Sequence, residues 1–337
     1  MIDRLKVKNF RGFDSFDVQL QQKNSIVGIN GSGKTTLLEA IYYVCLNKSF
    51  RTQNNQDLIS IGETFFDISI YSKGNEYLRI FYNNELYSKK HYYVNGLKHF
   101  WKSKPNVLKA LNFSSSVLHE FTNKASVRRL FLDHILSQLS QEYGTIFSEF
   151  EKIYVSKNRL LKMIRSGSDE KQLDFYNEKF IRISEKLYNE RAKFVDIINC
   201  FTYNDKFFVK YIQVSNIDKL KNELKYNKQK EIILGKCLYG PQKDDYHIYF
   251  KNKNINNIAS RGESKMALLF FLFRVSEYFF ENLLDTVILI DDLEAELDDK
   301  NSENVYSLIN SEINSQIFIT SLKQNDRYSN ICNILLN

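Results

Sequence analysis

A glycine-rich loop near the start of the chain, Gly28-Ile29-Asn30-Gly31-Ser32-Gly33-Lys34-Thr35, most constrains what this sequence can fold into. It has the G-x-x-x-x-G-K-[ST] spacing of a phosphate-binding loop. A strand-like stretch from Ser25 precedes it and a helical pattern from Thr36 to Val44 follows, which is the order that the motif requires. Backbone N–H groups of such a loop face a triphosphate at a helix start, where the helix dipole also favours an anion. Lys34 then contacts the outer phosphates, and Thr35 holds Mg²⁺.

A second motif lies near the far end of the chain, where four apolar residues run into two aspartates, Val287-Ile288-Leu289-Ile290-Asp291-Asp292. The pattern is typical of a buried parallel strand whose carboxyl end lies at the ligand-binding edge of an α/β sheet. We expect Asp291 to bind Mg²⁺ directly or through water, and Asp292 to orient a water for attack on the γ-phosphate. The nucleotide site therefore requires both ends of the chain.

The size of the chain leaves room for two domains with hydrophobic cores, since it has 337 residues and 43% of them are hydrophobic. Its net charge of +7 permits a polyanionic partner without requiring one. Many of the lysines lie among Asn, Ile and Tyr, a composition that AT-rich coding produces for any function. Charge alone therefore leaves nucleic-acid binding open.

The cysteines argue against a zinc site or a disulfide framework. Cys45, Cys200, Cys237 and Cys332 form no C-x-x-C pair and have no histidine at metal-ligand spacing. The longest apolar run, Met266 to Phe273, is too short to span a bilayer, and charged residues stand where a signal peptide would be apolar. We expect reduced thiols in a cytoplasmic protein that does not enter the membrane.

The patterning divides the chain into three segments and predicts an α/β fold. Residues 1–103 alternate short apolar stretches with polar turns, which predicts the first part of an ATPase lobe with an antiparallel meander. Residues 104–235 are helical in pattern and predict an inserted helical lobe. Residues 236–337 return to strand signals and complete the ATPase lobe. The two ends of the chain thus build one head.

A heptad-like repeat runs through the helical segment. Its apolar positions at a/d spacing, interrupted only by Glu190, are Leu173, Tyr176, Phe180, Ile183, Leu187, Phe194 and Ile197. The repeat is short enough to predict a helical hairpin rather than an extended coiled coil. An ordinary amphipathic core helix explains the pattern equally well.

A tetrapeptide, Ser260-Arg261-Gly262-Glu263, precedes a helix that is apolar nearly all round, Met266 to Val275. Ser260 and Glu263 form an S-x-x-E capping box, which satisfies N–H groups at a helix start and requires no ligand. The same geometry is how ABC-type ATPases present their signature motif to the γ-phosphate bound by a second subunit. The phosphate-binding loop and the Asp-Asp strand favour the signature interpretation.

Further motifs are spread almost from end to end of the chain. They are Asn9-Phe10-Arg11-Gly12-Phe13, Leu37-Leu38-Glu39-Ala40-Ile41-Tyr42, Lys48-Ser49-Phe50-Arg51-Thr52, Arg128-Arg129 with Phe131-Leu132-Asp133, Asn158 with Leu160-Leu161-Lys162, Gly240-Pro241 with Asp244-Asp245, Glu296-Leu297-Asp298, and Phe318-Ile319-Thr320. Together with the loop and the Asp-Asp strand, they make the chain resemble the RecF family of bacterial recombination mediators, which is related to the Rad50 and SMC heads.

The resemblance implies a P-loop ATPase head of the ABC/Rad50 type, with an inserted helical lobe that faces DNA or a dimer partner. Gly28 to Thr35 corresponds to Walker A, Ser260 to Glu263 to the signature acting in trans, and Asp298 lies in the segment resembling the D-loop. The implied catalytic residues are Lys34, Asp291 and Asp292, and Thr35 and Asp291 are the implied metal ligands. The implied nucleotide-binding residues are Gly28, Ile29, Asn30, Gly31, Ser32, Gly33, Lys34, Thr35, Thr36 and Arg11. Arg51 is a further candidate, and for both Arg11 and Arg51 a surface arginine is an equally good explanation.

The resemblance also implies cofactors and partners. The cofactors are ATP and Mg²⁺, and the activity is a weak, DNA-stimulated ATPase. The implied behaviour is ATP-dependent homodimerisation on DNA, either duplex or at single/double-strand junctions, and slow hydrolysis that releases it. RecO and RecR are the implied partners in placing RecA at single-strand gaps.

The chain departs from the family pattern at four places. Glu263 and Lys265 stand where the family usually has Gln and Arg, and Gln242-Lys243 replaces the usual His-Arg. Ser115-Ser116-Val117-Leu118 stands where a Pro-Glu-Asp-Leu stretch is usual. A carboxylate near the γ-phosphate would repel the nucleotide unless it points away, as a capping Glu does. We therefore expect a divergent and slower ATPase.

Two alternatives share part of this pattern. A transporter energiser would have both nucleotide motifs, but it lacks a long helical insertion between them and the Asn9-Phe10-Arg11 start. A nucleotide-gated clamp or scaffold that binds ATP but hardly turns it over is compatible with the altered signature. ATP turnover measured with and without duplex DNA separates these alternatives, because a scaffold stays slow under both conditions.

Overall fold

The computed structural model describes residues 1–85, 89–100, 108–200, 207–250, 252–256, 260–282, 284–293, 299–310, 314–324 and 331–336. The chain forms two compact units. The first combines Met1–Leu118 with Leu268–Asn337, and the second is His119–Ala267. One unit is therefore built from both ends of the chain, and the other from the middle.

An antiparallel sheet of six strands forms one layer of the first unit. Its strands are β1 (Arg4–Phe10), β2 (Phe13–Gln19), β4 (Phe65–Ser72), β5 (Asn75–Asn83), β6 (Lys89–Val94) and β7 (Leu97–His99), in the order β2-β1-β4-β5-β6-β7. Alternating buried and partly exposed residues along β5 and β6 are typical of a sheet with only one face on the core. The predicted antiparallel meander is confirmed.

A parallel sheet of five strands forms the second layer of this unit. Its strands are β3 (Lys23–Val27), β8 (Lys109–Phe113), β12 (Thr286–Ile290), β13 (Gln316–Ser321) and β14 (Cys332–Leu335), in the order β14-β3-β13-β12-β8. All residues of β8, β12 and β13 are buried, as expected for strands of a parallel sheet that is covered on both faces. The Asp-Asp strand and the strand before the glycine-rich loop therefore belong to one sheet, with β13 between them.

Helix α1 (Lys34–Leu46) packs between these layers, with contacts to strands of both sheets. One hydrophobic core includes its apolar residues and those of both sheets. Helices α2 (Ser115–Asn123) and α8 (Arg261–Glu281) each include residues of both units, and α9 (Asp299–Asn310) belongs to the first. Since α1 starts at Lys34, this packing fixes where the loop presents its lysine.

The second unit is mainly helical. Its helices are α3 (Ala125–Leu139), α4 (Gln141–Arg165), α5 (Leu173–Cys200), α6 (Ile217–Tyr226) and α7 (Lys228–Leu234). A three-stranded antiparallel sheet completes it, with β9 (Phe207–Ile212), β10 (Asp245–Phe250) and β11 (Lys253–Asn254) in the order β11-β10-β9. The segments drawn from the sequence, with boundaries at 103/104 and 235/236, differ from the compact units because β8 completes the parallel sheet and β10 pairs with β9.

The heptad-like repeat lies on α5, which packs against α4. Most of its predicted positions are buried, but so are Ser184, Tyr188, Arg191, Val195 and Ile198 beside them. A buried stripe of this width is typical of a core helix, whereas a two-stranded coiled coil buries a narrower seam. The core-helix interpretation therefore fits better.

Charged side chains lie inside the second unit. Arg191 is 2% exposed and donates to both carboxylate oxygens of Asp133, at 2.9 and 2.7 Å. It also contacts Asp244 at 3.4 Å, and the Tyr143 hydroxyl donates to Asp133. Arg128 forms a second two-bond pair with Asp245, at 2.7 and 2.8 Å. These pairs join α3 to α5, and both helices to residues 244–245 at the start of β10.

Among the helices that the structure describes, each one is too short or too polar to cross a bilayer.

Candidate nucleotide-binding site

Two glycines of the loop, Gly28 and Gly33, occupy positions where a side chain would not fit. A Cβ on Gly28 would lie 2.4 Å from Oγ of Ser32. Gly33 has a φ of +99°, and a Cβ there would lie 2.7 Å from the ring of Phe13. Only glycine combines a left-handed conformation with so close an approach. The loop is thus held in a wrapped conformation directly before α1.

The start of α1 is suited to an anion. Gly33 is its N-cap, no side chain in the described part of the chain caps it, and its first turn has no acidic residue. The first N–H groups of a helix lack partners within it, and the helix dipole adds positive potential. Lys34 adds a cation, whose Nζ donates to the backbone oxygens of Gly28 at 2.6 Å and Ile29 at 2.9 Å. A phosphate can replace these neutral acceptors with charged ones.

The carboxylate of Asp291 joins the loop to the parallel sheet. Thr35 Oγ1 lies 2.9 and 3.1 Å from its two oxygens, and Thr320 Oγ1 donates to it at 2.7 Å. Thr35 and Asp291 are 256 residues apart in sequence. The structure therefore brings together the two predicted magnesium ligands, a hydroxyl and a carboxylate.

Asp292 is the exposed residue of the pair. Its φ is +58°, a left-handed conformation, and its N–H donates to Thr320 Oγ1 at 2.8 Å. The chain therefore turns sharply at the end of β12. The turn places consecutive carboxylates in different surroundings, with Asp291 on the loop threonine and Asp292 at the surface.

An open cavity of about 360 Å³ adjoins these groups. Its lining residues are Asn30, Gly31, Gly33, Lys34, Thr35, Thr36, Arg51, Asp291, Asp292 and Thr320. The predicted loop residues Gly28, Ile29 and Ser32 are outside this lining, and so is Arg11. A cavity lined by N–H groups, one lysine, one arginine and two carboxylates suits a phosphate chain with a divalent cation.

A buried carboxylate lies beside the cavity. Glu39 on α1 is fully buried and accepts two hydrogen bonds from Arg11, at 2.8 and 3.1 Å, and one from Ser49. Arg51 Nη1 lies 3.3 Å from the same carboxylate. The Arg11 side chain is 22% exposed and that of Arg51 is 44% exposed. Both candidate arginines therefore contact Glu39, and of the two it is Arg51 that lines the cavity.

Two residues of this site were not among the predicted site residues. Thr320 ends β13, the strand next to β12, and a polar residue at the carboxyl end of a neighbouring parallel strand was the available signal. Glu39 was seen in the sequence as part of the family-like segment Leu37 to Tyr42, without a role of its own. Its role as the shared partner of two arginines depends on contacts that cross 28 and 12 residues of sequence.

The predicted signature segment begins α8. Ser260 Oγ accepts from the Glu263 N–H at 3.2 Å, and the Glu263 carboxylate accepts from the Ser260 N–H at 3.0 Å. This reciprocal pair is the predicted capping box. Lys253 donates to the same carboxylate at 3.0 Å. The hydrogen bond from the Ser260 backbone, with that from Lys253, lowers the pKa of Glu263.

Two of the other departures from the family pattern have defined places in the structure. Val117 N–H donates to Oγ of Ser114 at 3.3 Å, so the Ser115–Leu118 stretch is the capped first turn of α2. Gln242 Nε2 donates to the carbonyl of Tyr239 at 2.8 Å. Asp298 lies outside the described residues.

Comparison with known proteins gives a consistent result. The family model described as RecF/RecN/SMC N terminal domain matches residues 1–331. The DNA replication and repair protein RecF of Bacillus thuringiensis (strain Al Hakam) is 27% identical over 347 aligned positions, covering 95% of this chain and 92% of that protein.

Solved structures extend the comparison to the fold. A structure of the recombination mediator protein RecF with ATP, in the RecFOR pathway, superposes with a TM-score of 0.81 at 22% identity, covering 99% of this chain and 95% of that one. An Smc head bound to the C-terminal winged-helix domain of ScpA gives a TM-score of 0.53 at 17% identity, covering 98% of this chain and 93% of that one. The chain thus has the fold of these ATPase heads, as the sequence predicted.

Proposed function

Because the chain belongs to the family of RecF/RecN/SMC N-terminal domains, we propose that it is an ATP-dependent DNA-binding protein of recombinational repair. The observation that supports this most is the meeting of Thr35 with Asp291, 2.9 Å apart, at the edge of a cavity that also contains Lys34. This set of groups has the composition of a nucleotide site. The name of the Bacillus relative, a DNA replication and repair protein, supports the choice of process.

We propose ATP with Mg²⁺ as the ligand of the cavity. Lys34 would bind the outer phosphates, and N–H groups at the start of α1 would bind the phosphate oxygens. Thr35 and Asp291 would hold Mg²⁺, which commonly uses one or two carboxylates together with phosphate oxygens and water. Thr35 and Asp291 fit Mg²⁺ because both supply hard oxygen ligands and their side chains are in contact. Asp292 would orient the attacking water.

We propose further that ATP drives homodimerisation. In this arrangement the phosphate-binding loop of one subunit and the signature of a second subunit, Ser260 to Glu263, contact the same nucleotide. Support comes from the capped helix start, where Ser260 is exposed. Slow hydrolysis would then reset the dimer.

Partners are proposed on the same basis. The RecF whose structure is solved acts in the RecFOR pathway. We therefore propose that this chain works with RecO and RecR to place RecA at single-strand gaps. The net charge of +7 is compatible with a DNA partner held through phosphates.

The dimer is tested by measuring molar mass by light scattering, with and without ATP and Mg²⁺. We expect the wild type to double its mass with ATP. Ser260→Arg should keep ATP binding to the monomer but block the doubling, because a bulky side chain obstructs the interface. A melting curve controls for stability, since losing the cap costs about 1 kcal/mol. A folded Ser260→Arg variant that dimerises normally would reduce Ser260 to a helix cap.

DNA binding and turnover are tested separately. Duplexes of unrelated sequence should bind with similar affinity, and with about six phosphate contacts that affinity should fall by roughly 10³-fold between about 50 and 200 mM salt. Binding that selects sequence or ignores salt would indicate a different partner. ATP turnover that stays equally slow with and without duplex DNA would favour the scaffold alternative over a DNA-stimulated ATPase.

A further inference from the structure

Glu263 introduces a negative charge at the helix start that the proposed dimer would bring to an anionic nucleotide. Its pKa is lowered because the Ser260 N–H and Lys253 both donate to the carboxylate, so the group is ionised at neutral pH. An unpaired carboxylate near a triphosphate would repel it. A dimer built on this segment therefore requires that the charge be compensated within the same subunit.

The compensating group is a lysine on the neighbouring hairpin. Lys253 begins β11, and its Nζ lies 3.0 Å from Oε1 of Glu263. The other carboxylate oxygen, Oε2, accepts from the Ser260 N–H. Each oxygen of Glu263 thus has a donor from its own subunit.

We propose that Lys253 is a positioning residue of the signature, which holds the Glu263 carboxylate on the backbone of Ser260 and cancels its charge toward the nucleotide of a second subunit. The proposal rests on the proposed ATP-dependent dimer. Lys253 touches Glu263, not the nucleotide. Without Lys253, the carboxylate keeps its charge and has one donor fewer to hold it in the cap.

If the pair of Lys253 and Glu263 only stabilised the fold, Lys253→Ala would lower the melting temperature and would not act through the dimer. The proposal predicts the opposite. The side chain of Lys253 is 48% exposed, and exposed ion pairs contribute little to the stability of a fold. Its loss should therefore leave the melting temperature almost unchanged. The effect should appear only when a second subunit brings its nucleotide to this helix start, and only while residue 263 is charged.

The experiment measures the dissociation constant of the dimer by sedimentation, with ATPγS and Mg²⁺ so that hydrolysis does not deplete the complex. The proteins are the wild type, Lys253→Ala, Lys253→Arg, Glu263→Gln and the Lys253→Ala/Glu263→Gln double variant. Glutamine keeps the capping geometry without the charge. ATPγS binding to the monomer and a melting curve are measured for each protein.

We expect Lys253→Ala to weaken the dimer about tenfold, as the unscreened charge repels the phosphates. Lys253→Arg should dimerise like the wild type, and the double variant should recover most of the loss. An unchanged dimer in Lys253→Ala overturns the inference, and so does a loss that Glu263→Gln fails to rescue. A wild type that stays monomeric with ATPγS would instead refute the proposed dimer itself.

Discussion

The two units of this molecule use charge in opposite ways. In the first unit, Lys34 lines an open cavity, and within the described residues its Nζ donates to two neutral carbonyl oxygens. In the second, Arg191 is 2% exposed and its guanidinium is bound by Asp133 and Asp244. The first cation can exchange its partners for a ligand at little cost, whereas the second cannot leave its carboxylates without leaving a buried charge unpaired.

The comparison shows how a ligand site differs from a structural network of the same residue types. Both contain arginine or lysine, aspartate and hydroxyl groups within hydrogen-bond distance. At the cavity, the hydrogen-bonded polar groups also line open space. In the second unit, they face one another. A substitution among the cavity groups should therefore change chemistry, and one within the buried network should change stability.

The largest effect is expected at the end of β12. Asp292→Asn should lower ATP turnover by about 10²–10⁴-fold, since it removes the proposed water-orienting carboxylate. Nucleotide binding should remain, because Lys34 and the loop N–H groups are untouched. Turnover and equilibrium binding are measured on the same preparation, with Lys193→Gln, a change in an exposed helical pair, as the control. Equal loss of binding and turnover would contradict the division of labour between Asp291 and Asp292.

The buried network should respond in stability. Asp133→Asn removes the charge paired with Arg191 and should lower the free energy of unfolding by about 3–5 kcal/mol. Lys193 and Glu190 form an exposed pair on the helix that carries Arg191. Breaking that pair should change the free energy of unfolding by less than about 1 kcal/mol. Denaturant titrations of both variants give the comparison. Similar values for the two would show that the buried pair has no special role.

A smaller effect concerns pH. Burial raises the pKa of Asp244 to about 6, against hydrogen bonds from Tyr211 and Val214 and the charge of Arg191. The folded state then binds a proton more tightly than the unfolded state, so this contribution to stability is full below about pH 4 and is lost as the pH rises through about 6.

The difference in unfolding free energy between the wild type and Asp244→Asn isolates this group. Between pH 4 and pH 7, the unfolding free energy of the wild type should fall by about 1–3 kcal/mol relative to that of Asp244→Asn. The measurement is a series of denaturant titrations at fixed ionic strength. A difference that is flat with pH, or that moves in favour of the wild type, would show that the Asp244 carboxyl group does not titrate in this window.

The sequence predicted the first unit better than the second. The loop glycines, Lys34 and the Asp291-Asp292 strand have fixed spacings that follow from phosphate geometry, so local sequence is enough to place them. The capping box between Ser260 and Glu263 was equally predictable although it lies in the second unit, since both partners are within four residues. Thr320 was not predicted as a site residue because its contact with Asp291 depends on which strands are neighbours.

Apart from that capping box, the second unit was predicted mainly as a helical lobe. Arg128, Asp133 and Asp244 were recognised as family-like residues, but nothing local indicated that they pair inside the unit. Arg191 lies next to Glu190, the interruption of the heptad-like repeat, and its partners are 58 and 53 residues away. Pairing over such distances is set by tertiary packing, which single-sequence periodicity does not contain.

The central claim, that the cavity at Lys34 binds Mg²⁺-ATP, is tested most directly by titration calorimetry with ATPγS and Mg²⁺. We predict one site per monomer in the wild type and binding weaker by about 100-fold or more in Lys34→Ala, because a charge-assisted contact to the phosphates is lost. Lys193→Gln should bind like the wild type. A folded Lys34→Ala variant that binds as tightly as the wild type would contradict the account.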